Sequence, residues 1–249
     1  ETKNNWFNYT YELFGNYDFS IDNEHNFNVF AGFTIGKSTY NNLSGSNVDI
    51  PFNSWTYADL SSASGGISEQ TTSSAQSVSR SVSLMGRVEY DFNEKYLASL
   101  TVRRDGSTSF GKNNKFAIFP SASVGWVASN EDFFNSSFVD FLKVRASFGT
   151  VGNDNASPQF GTISTFPKYT FDGKIVNGST LLGIPNNDVS WENQIQTNVG
   201  LDLRMFDSKL SLTADYFIKT VDDLLFSPTL SLYLGIPQYP VANIGKTET

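Results

Sequence analysis

Gly106, Gly111 and Lys112 stand at the G-x-x-x-x-G-K spacing of a phosphate-binding loop. Such a loop runs into a helix whose first Ser or Thr hydroxyl holds Mg²⁺. Here Asn113 takes the hydroxyl position, and the following KFAIFPSASVGW alternates residue by residue around Pro120, which is strand behaviour. The glycines therefore read as turn residues between two strands. His25 is the sole histidine and cysteine is absent, so no Ser/His, Cys/His or thiolate-metal constellation can be assembled. His25 itself lies in SIDNEH and reads as a solvated turn residue. Asp222 and Asp223 are adjacent carboxylates, but neighbours on a strand point to opposite faces, so they read as a strand-end feature and not as a pair of glycosidase acids. The oxygen-rich GNDN at Gly152 and NND at Asn186 lack the ligand spacing of a Ca²⁺ loop and read as turns. The expectation is a chain with no catalytic residue, no metal and no cofactor, hence not an enzyme.

If the chain does no chemistry, its composition must say what it does instead. It has 249 residues, 39% hydrophobic and 15% aromatic but only 17% charged, and it lacks any apolar run of the 18 or so residues that a membrane helix requires. Helical spanning is excluded; barrel spanning is not, because barrel strands need apolar residues only at alternate positions. A net charge of −8 excludes a nucleic-acid surface, which needs a basic stripe. The opening ETKNNWFNYT has no starting Met, basic region or apolar region, so the expectation is a cleaved leader or an interior piece of a longer chain.

Period-two alternation marks about eight strands. Phe7 to Ser20 pairs with Phe27 to Ile35, and Leu84, Val88, Tyr90 and Phe92 turn through NEK into Tyr96, Ala98, Leu100 and Val102. Ile118, Ala122, Val124 and Trp126 follow, then Leu142, Val144, Ala146 and Phe148. Ile195, Thr197, Val199, Leu201, Leu203 and Met205 turn through FDSK into Leu210, Leu212, Ala214, Tyr216 and Ile218. Short turns alternate with long connections at residues 36–80, 105–115, 149–190 and 221–244, which places all long loops at one end of the sheet. Structureless loops of this length are uncommon in soluble domains, whereas short turns at one rim and long loops at the other describe outer-membrane barrels. The exception, 128–141, reads as an amphipathic turn at the membrane edge. Lys143 and Arg145 fall on the face opposite Leu142, Val144, Ala146 and Phe148; a slip of one residue would turn them outward at about 2–4 kcal/mol each near a bilayer midplane. Tyr90, Phe92, Tyr96, Trp126, Phe133, Phe134 and Phe206 crowd the strand ends, as rings that are apolar at one side and polar at the other do at headgroup level.

The same alternation fits a secreted β-sandwich whose aromatics are simply core, acting as a carbohydrate-binding module, and it also fits a complete small outer-membrane barrel. Aromatic rings that stack on sugar faces single out Trp55 and Tyr57 in the first long loop and Tyr169 and Phe171 in the third as weak substrate-binding candidates. Packing within their own loops, or against a partner, accounts for them equally well.

LMGRVEYDFNEKYLASLTVRRDGSTSFG from Leu84, FPSASVGWVASNEDFF from Phe119, LKVRASFGTVGN from Leu142, the VSWENQIQTNVGLDLRMFDSKLSLTADYFIKTVDDLL run from Val189, and NIGKTET from Asn243 together resemble the SusC/RagA family of TonB-dependent outer-membrane transporters. The resemblance covers roughly Leu84 to Thr249. It implies an all-β, antiparallel up-and-down transmembrane β-barrel of 22 strands filled by a plug. The implied activity is import of oligosaccharides or other nutrients such as peptides through the outer membrane of a Gram-negative bacterium, energised through TonB and served by a SusD-type surface lipoprotein. No plug, no TonB-binding segment and no barrel C-terminus is visible in these residues, and about eight strands cannot close such a circumference. Residues 1–249 are therefore expected to be a partial barrel domain facing a lipid bilayer.

Overall fold

The computed structural model describes residues 1–51, 59–155, 163–165, 168–178, 180–183, 186–227, 231, 233 and 241–249. The strands are β1 (Thr2–Ile21), β2 (His25–Ser46), β3 (Thr71–Phe92), β4 (Tyr96–Ser107), β5 (Phe116–Val127) and β6 (Val139–Asn153). Then come the short β7 (Ile163–Thr165), β8 (Lys168–Phe171), β9 (Lys174–Asn177) and β10 (Thr180–Gly183), the long β11 (Glu192–Met205) and β12 (Leu210–Asp222), and finally β13 (Leu225–Phe226), β14 (Ala242–Asn243) and β15 (Lys246–Glu248). Nine of them form a sheet in the order β1-β2-β3-β4-β5-β6-β11-β12-β15; β7 with β10, β8 with β9 and β13 with β14 form separate two-stranded pairs. The ninth strand, β15, lies in NIGKTET, the segment that the resemblance marks as leading into a further strand. No helix among the described residues is long and apolar enough to cross a membrane, which says nothing of crossing by strands.

The chain divides into two compact units, residues 1–11 with 35–81 and residues 12–34 with 82–249. In the second unit, tight turns join β1 to β2, β3 to β4 and β11 to β12. They use left-handed residues throughout: Asp22 and Asn23 (φ 54° and 58°), Asn93 and Glu94 (48° and 56°), and Phe206, Asp207 and Ser208 (60°, 55° and 61°). Positive φ at consecutive turn residues matches the twist of the flanking strands, which is why such turns close antiparallel pairs tightly. The longer connection on this side contains a single 3₁₀ turn, Ala128–Asn130.

The strands outrun the sequence reading. β2 continues eleven residues past Ile35 and β3 starts thirteen before Leu84, so the expected loop 36–80 narrows to 47–70. A strand of 22 residues spans roughly 75 Å, while about 9–11 residues suffice to cross a bilayer. In β2 and β3 alternation is visible only in the halves next to the tight turns. GKSTYNNLSGS and TTSSAQSVSR are polar on both faces and read as loop, although the backbone ladder continues through them.

Candidate functional site

Register carries the apolar positions of the second unit into rows across five strands. Leu100, Ala122, Phe148, Thr197 and Ile218 are mutual neighbours, as are Ala98, Val124, Ala146, Val199 and Tyr216, and Tyr96, Trp126, Val144, Leu201 and Ala214. These rows are not covered by protein: Leu100 is 56% exposed, Val124 60%, Val144 38% and, on β3, Val88 42%, with Leu201 half-buried. Among the described residues only Phe110, Phe119, Val127, Ala128, Val189 and Trp191 are buried hydrophobics. A sandwich would press these rows against a second sheet; among the described residues no such layer covers them.

The intervening rows carry the opposite chemistry. Ser99, Ser123, Ser147 and Asn198 stand side by side, and the next row reads Leu97, Gly125, Arg145, Gly200, Asp215. Arg145 Nε donates to Asp202 Oδ2 at 3.1 Å, and its guanidinium reaches past Gly200 to Asp215 at 2.8 Å. A Cβ on Gly200 would lie 2.5 Å from Arg145 Cζ, so glycine is what lets the guanidinium pass flat over β11. On this side lies a cavity of ≈ 950 Å³, with Asp18, Glu89 and Asp91 on one flank and Lys143 and Arg145 on the other. A charged, wet face behind a bare apolar face is the arrangement of a pore wall.

The turn rim is tied by Glu131. Its carboxylate accepts from the Tyr96 hydroxyl and from Trp126 Nε1 (3.0 Å), and pairs with Lys95 Nζ at 3.4 Å, while Lys95 also meets Asp132 at 3.3 Å. The Tyr96 and Trp126 hydrogen bonds, helped by Lys95, hold the Glu131 carboxyl below its ordinary value. The hydrogen bond to Asp132 leads in raising the Lys95 ammonium above its own.

The loop rim has its own small core. Trp191 lies 4.9 Å from Phe110, its ring tilted by 42°, and edge-on at 5.6 Å from Phe119, with Val189 beside them. Asparagine side chains knit the loops together: Asn114 Nδ2 donates to Asp188 O (2.9 Å), Asn186 Nδ2 to Val241 O (2.8 Å), and Asn243 bonds Ser190 through both N–H and C=O.

The residues singled out by spacing fall into this frame. Gly106 lies next to the last residue of β4, and Gly111 passes so close to the Asn187 carbonyl that a Cβ would sit 2.7 Å from its oxygen; both serve close approach, and Lys112 is exposed. His25 is not a solvated turn residue: it is half-buried at the start of β2, its Nδ1 2.8 Å from the Tyr90 hydroxyl and its ring 4.7 Å from Phe92. Asp222 pairs with Lys246 at 3.1 Å at the strand end, and Asp223 sits in a left-handed turn (φ 57°). In GNDN and NND the Asn153 and Asn186 side-chain oxygens accept from Asn155 N and Asp188 N, each at 3.0 Å, which is turn chemistry. Tyr169 and Phe171 share one face of β8, 48% and 74% exposed, on a hairpin closed by Asp172-Gly173. That dipeptide is a hairpin signal the sequence reading passed over. Trp55 and Tyr57 lie outside the described residues. The Arg145–Asp202–Asp215 cluster was not anticipated, though charged residues at inward parity on three adjacent strands were there to be read.

Comparison with known proteins follows the same lines. The profile of the family described as "TonB dependent receptor-like, beta-barrel" matches residues 1–249. The chain is similar to TonB-dependent receptor P3 of Formosa agariphila, 35% identical over 90% of this chain and 22% of that protein. It is also similar to TonB-dependent receptor SusC of Bacteroides thetaiotaomicron, 28% identical over 67% of this chain and 17% of that protein. In three dimensions it superposes on the RagAB peptide transporter with a TM-score of 0.89 and 25% identity, covering 99% of this chain and 27% of that one. The chain thus spans less than a third of the length of each.

Proposed function

The chain belongs to the TonB-dependent receptor β-barrel family, and from that premise we propose that it forms part of the wall of an outer-membrane importer. The apolar rows face the bilayer and the Arg145 face lines the interior. The cargo is an oligosaccharide or a peptide, delivered by a SusD-type surface lipoprotein and moved with energy supplied through TonB. The names of the similar proteins support this: one is a SusC, another a peptide transporter. No bond of the cargo is broken, so the activity is transport and not catalysis. Exposed Tyr169 and Phe171, and Trp55 and Tyr57, are contact residues for cargo or lipoprotein. The observation that carries the reading is the bareness of Leu100, Val124 and Val144 above a charged opposite face.

The absence of cysteine makes the test clean. Single cysteines at 121 to 126, spin-labelled in the membrane-inserted protein, should alternate: oxygen accessibility high at 122, 124 and 126, water-soluble nickel accessibility high at 121, 123 and 125. A flat profile along β5 would refute the wall assignment. Uptake of labelled cargo that persists after the proton gradient is dissipated would refute the TonB step.

A further inference from the structure

Within the first unit, β1 and β2 bring an aromatic pair and a set of amides onto one face. The Trp6 and Tyr40 rings lie 5.1 Å apart, tilted by 35°, with Trp6 61% exposed. Around them Tyr40 donates its hydroxyl to Asn4 Oδ1 (3.1 Å), Asn42 Nδ2 donates to the same oxygen (2.7 Å), and Ser38 donates to Asn8 Oδ1 (2.6 Å). With both Oδ1 atoms engaged, the amides are locked in orientation and present their Nδ2 hydrogens beside the indole. The third strand contributes small neutral groups. Ser46 bonds Thr71, and a Cβ on Gly36 would meet Ser81, which fixes odd-numbered β3 positions on this face. The strand period then adds Ser73, Ala75, Ser77 and Ser79.

This face carries no charged residue at the same-parity positions of β1 up to Thr10, of β2 from Gly36 to Ser46, or of β3 from Thr71 to Ser81. Lys3 and Lys37 have the opposite parity. In the second unit the cavity face carries Asp18, Glu89, Asp91, Lys143 and Arg145. A peptide brings charged termini and side chains, and an acidic sugar brings carboxylates; both call for charged partners. A neutral pyranose ring calls for a flat aromatic surface against its C–H face and amide or hydroxyl groups at its rim. The exposed indole and Tyr40, flanked by Asn4, Asn8, Ser38 and Asn42, with the serines of β3 one strand beyond Tyr40, supply those groups.

We infer that the Trp6–Tyr40 face is a binding site for a neutral oligosaccharide. The inference rests on the import reading above and chooses between the two cargo classes left open there.

The test uses the purified protein in detergent on a printed array that holds neutral oligosaccharides, uronic-acid oligosaccharides and short peptides. Neutral glycans should be retained, Trp6→Ala and Asn8→Ala should each weaken them about tenfold or more, and Trp6→Phe should keep most of the binding. Retention of only uronates or peptides, no retention at all, or neutral binding untouched by Trp6→Ala would each overturn the site. Spin-label accessibility along β5 separates the two levels. An intact alternating profile with failed glycan binding removes the sugar site alone, whereas a flat profile removes the import reading beneath it.

Discussion

The loop cluster around Trp191 and the strand rows around Val124 are made of the same apolar residue types and treat them in opposite ways. Phe110 and Val189 are 0% and 1% exposed, whereas Val124 is 60% exposed. Loops in water must enclose their own apolar side chains, since nothing else will. On the proposed reading the rows leave theirs bare because a bilayer takes the place of a second protein layer. The teaching is that burial in this chain reports which solvent surrounds each part.

Four measurements bear on that contrast. Trp191→Ala should destabilise most, by about 3–5 kcal/mol in the urea unfolding free energy of the protein in micelles, because it hollows the packed cluster found among the described residues. Trp191→Phe should cost far less, since the lost N–H has no partner among the described residues. Equal costs for the two would show that the cluster is not held by packing. Val124→Arg should impair folding into phospholipid vesicles by about 2–4 kcal/mol while Ser123→Arg stays within about 1 kcal/mol; equal effects would erase the distinction between the faces. Gly200→Ala should lower the melting temperature by less than either, by pushing Arg145 off Asp202 and Asp215, and Arg145→Ala should cancel that sensitivity.

The smallest effect is expected from pH at the turn rim. Because the folded Glu131 carboxyl lies below its ordinary value, its contribution is complete above the unfolded pKa and is lost as pH falls through the folded one. The melting temperature should therefore drop on acidification below the ordinary carboxylate range, and Glu131→Gln should flatten part of that drop. A steeper drop in the Gln variant would contradict the assigned direction.

The alternation of Leu142 to Phe148 and of Ile195 to Met205 was legible because a bilayer-facing strand must be apolar at every second residue. The tops of β2 and β3 were not, since with water on both sides no face is selected and Ser, Thr and Asn suit either. Tyr169 and Phe171 were legible as exposed aromatics but not as a hairpin. Trp6 and Tyr40 were passed over because the expected strands began at Phe7 and ended at Ile35, leaving both outside them; on the longer β1 and β2, Trp6 has the parity opposite to Phe7 and Tyr9 and meets Tyr40. Arg145, Asp202 and Asp215 are far apart in sequence; register alone joins them.

The long polar stretches of β2 and β3 lead to one further expectation. Their side chains are wet, yet in β2, which has β1 on one side and β3 on the other, the amides stay tied in the ladder. Deuterium uptake in residues 36–46 should therefore be slow, so that a segment with the make-up of a loop keeps its protons like an interior, and faster in 71–81, where the 12 residues of β4 cannot accompany all 22 of β3.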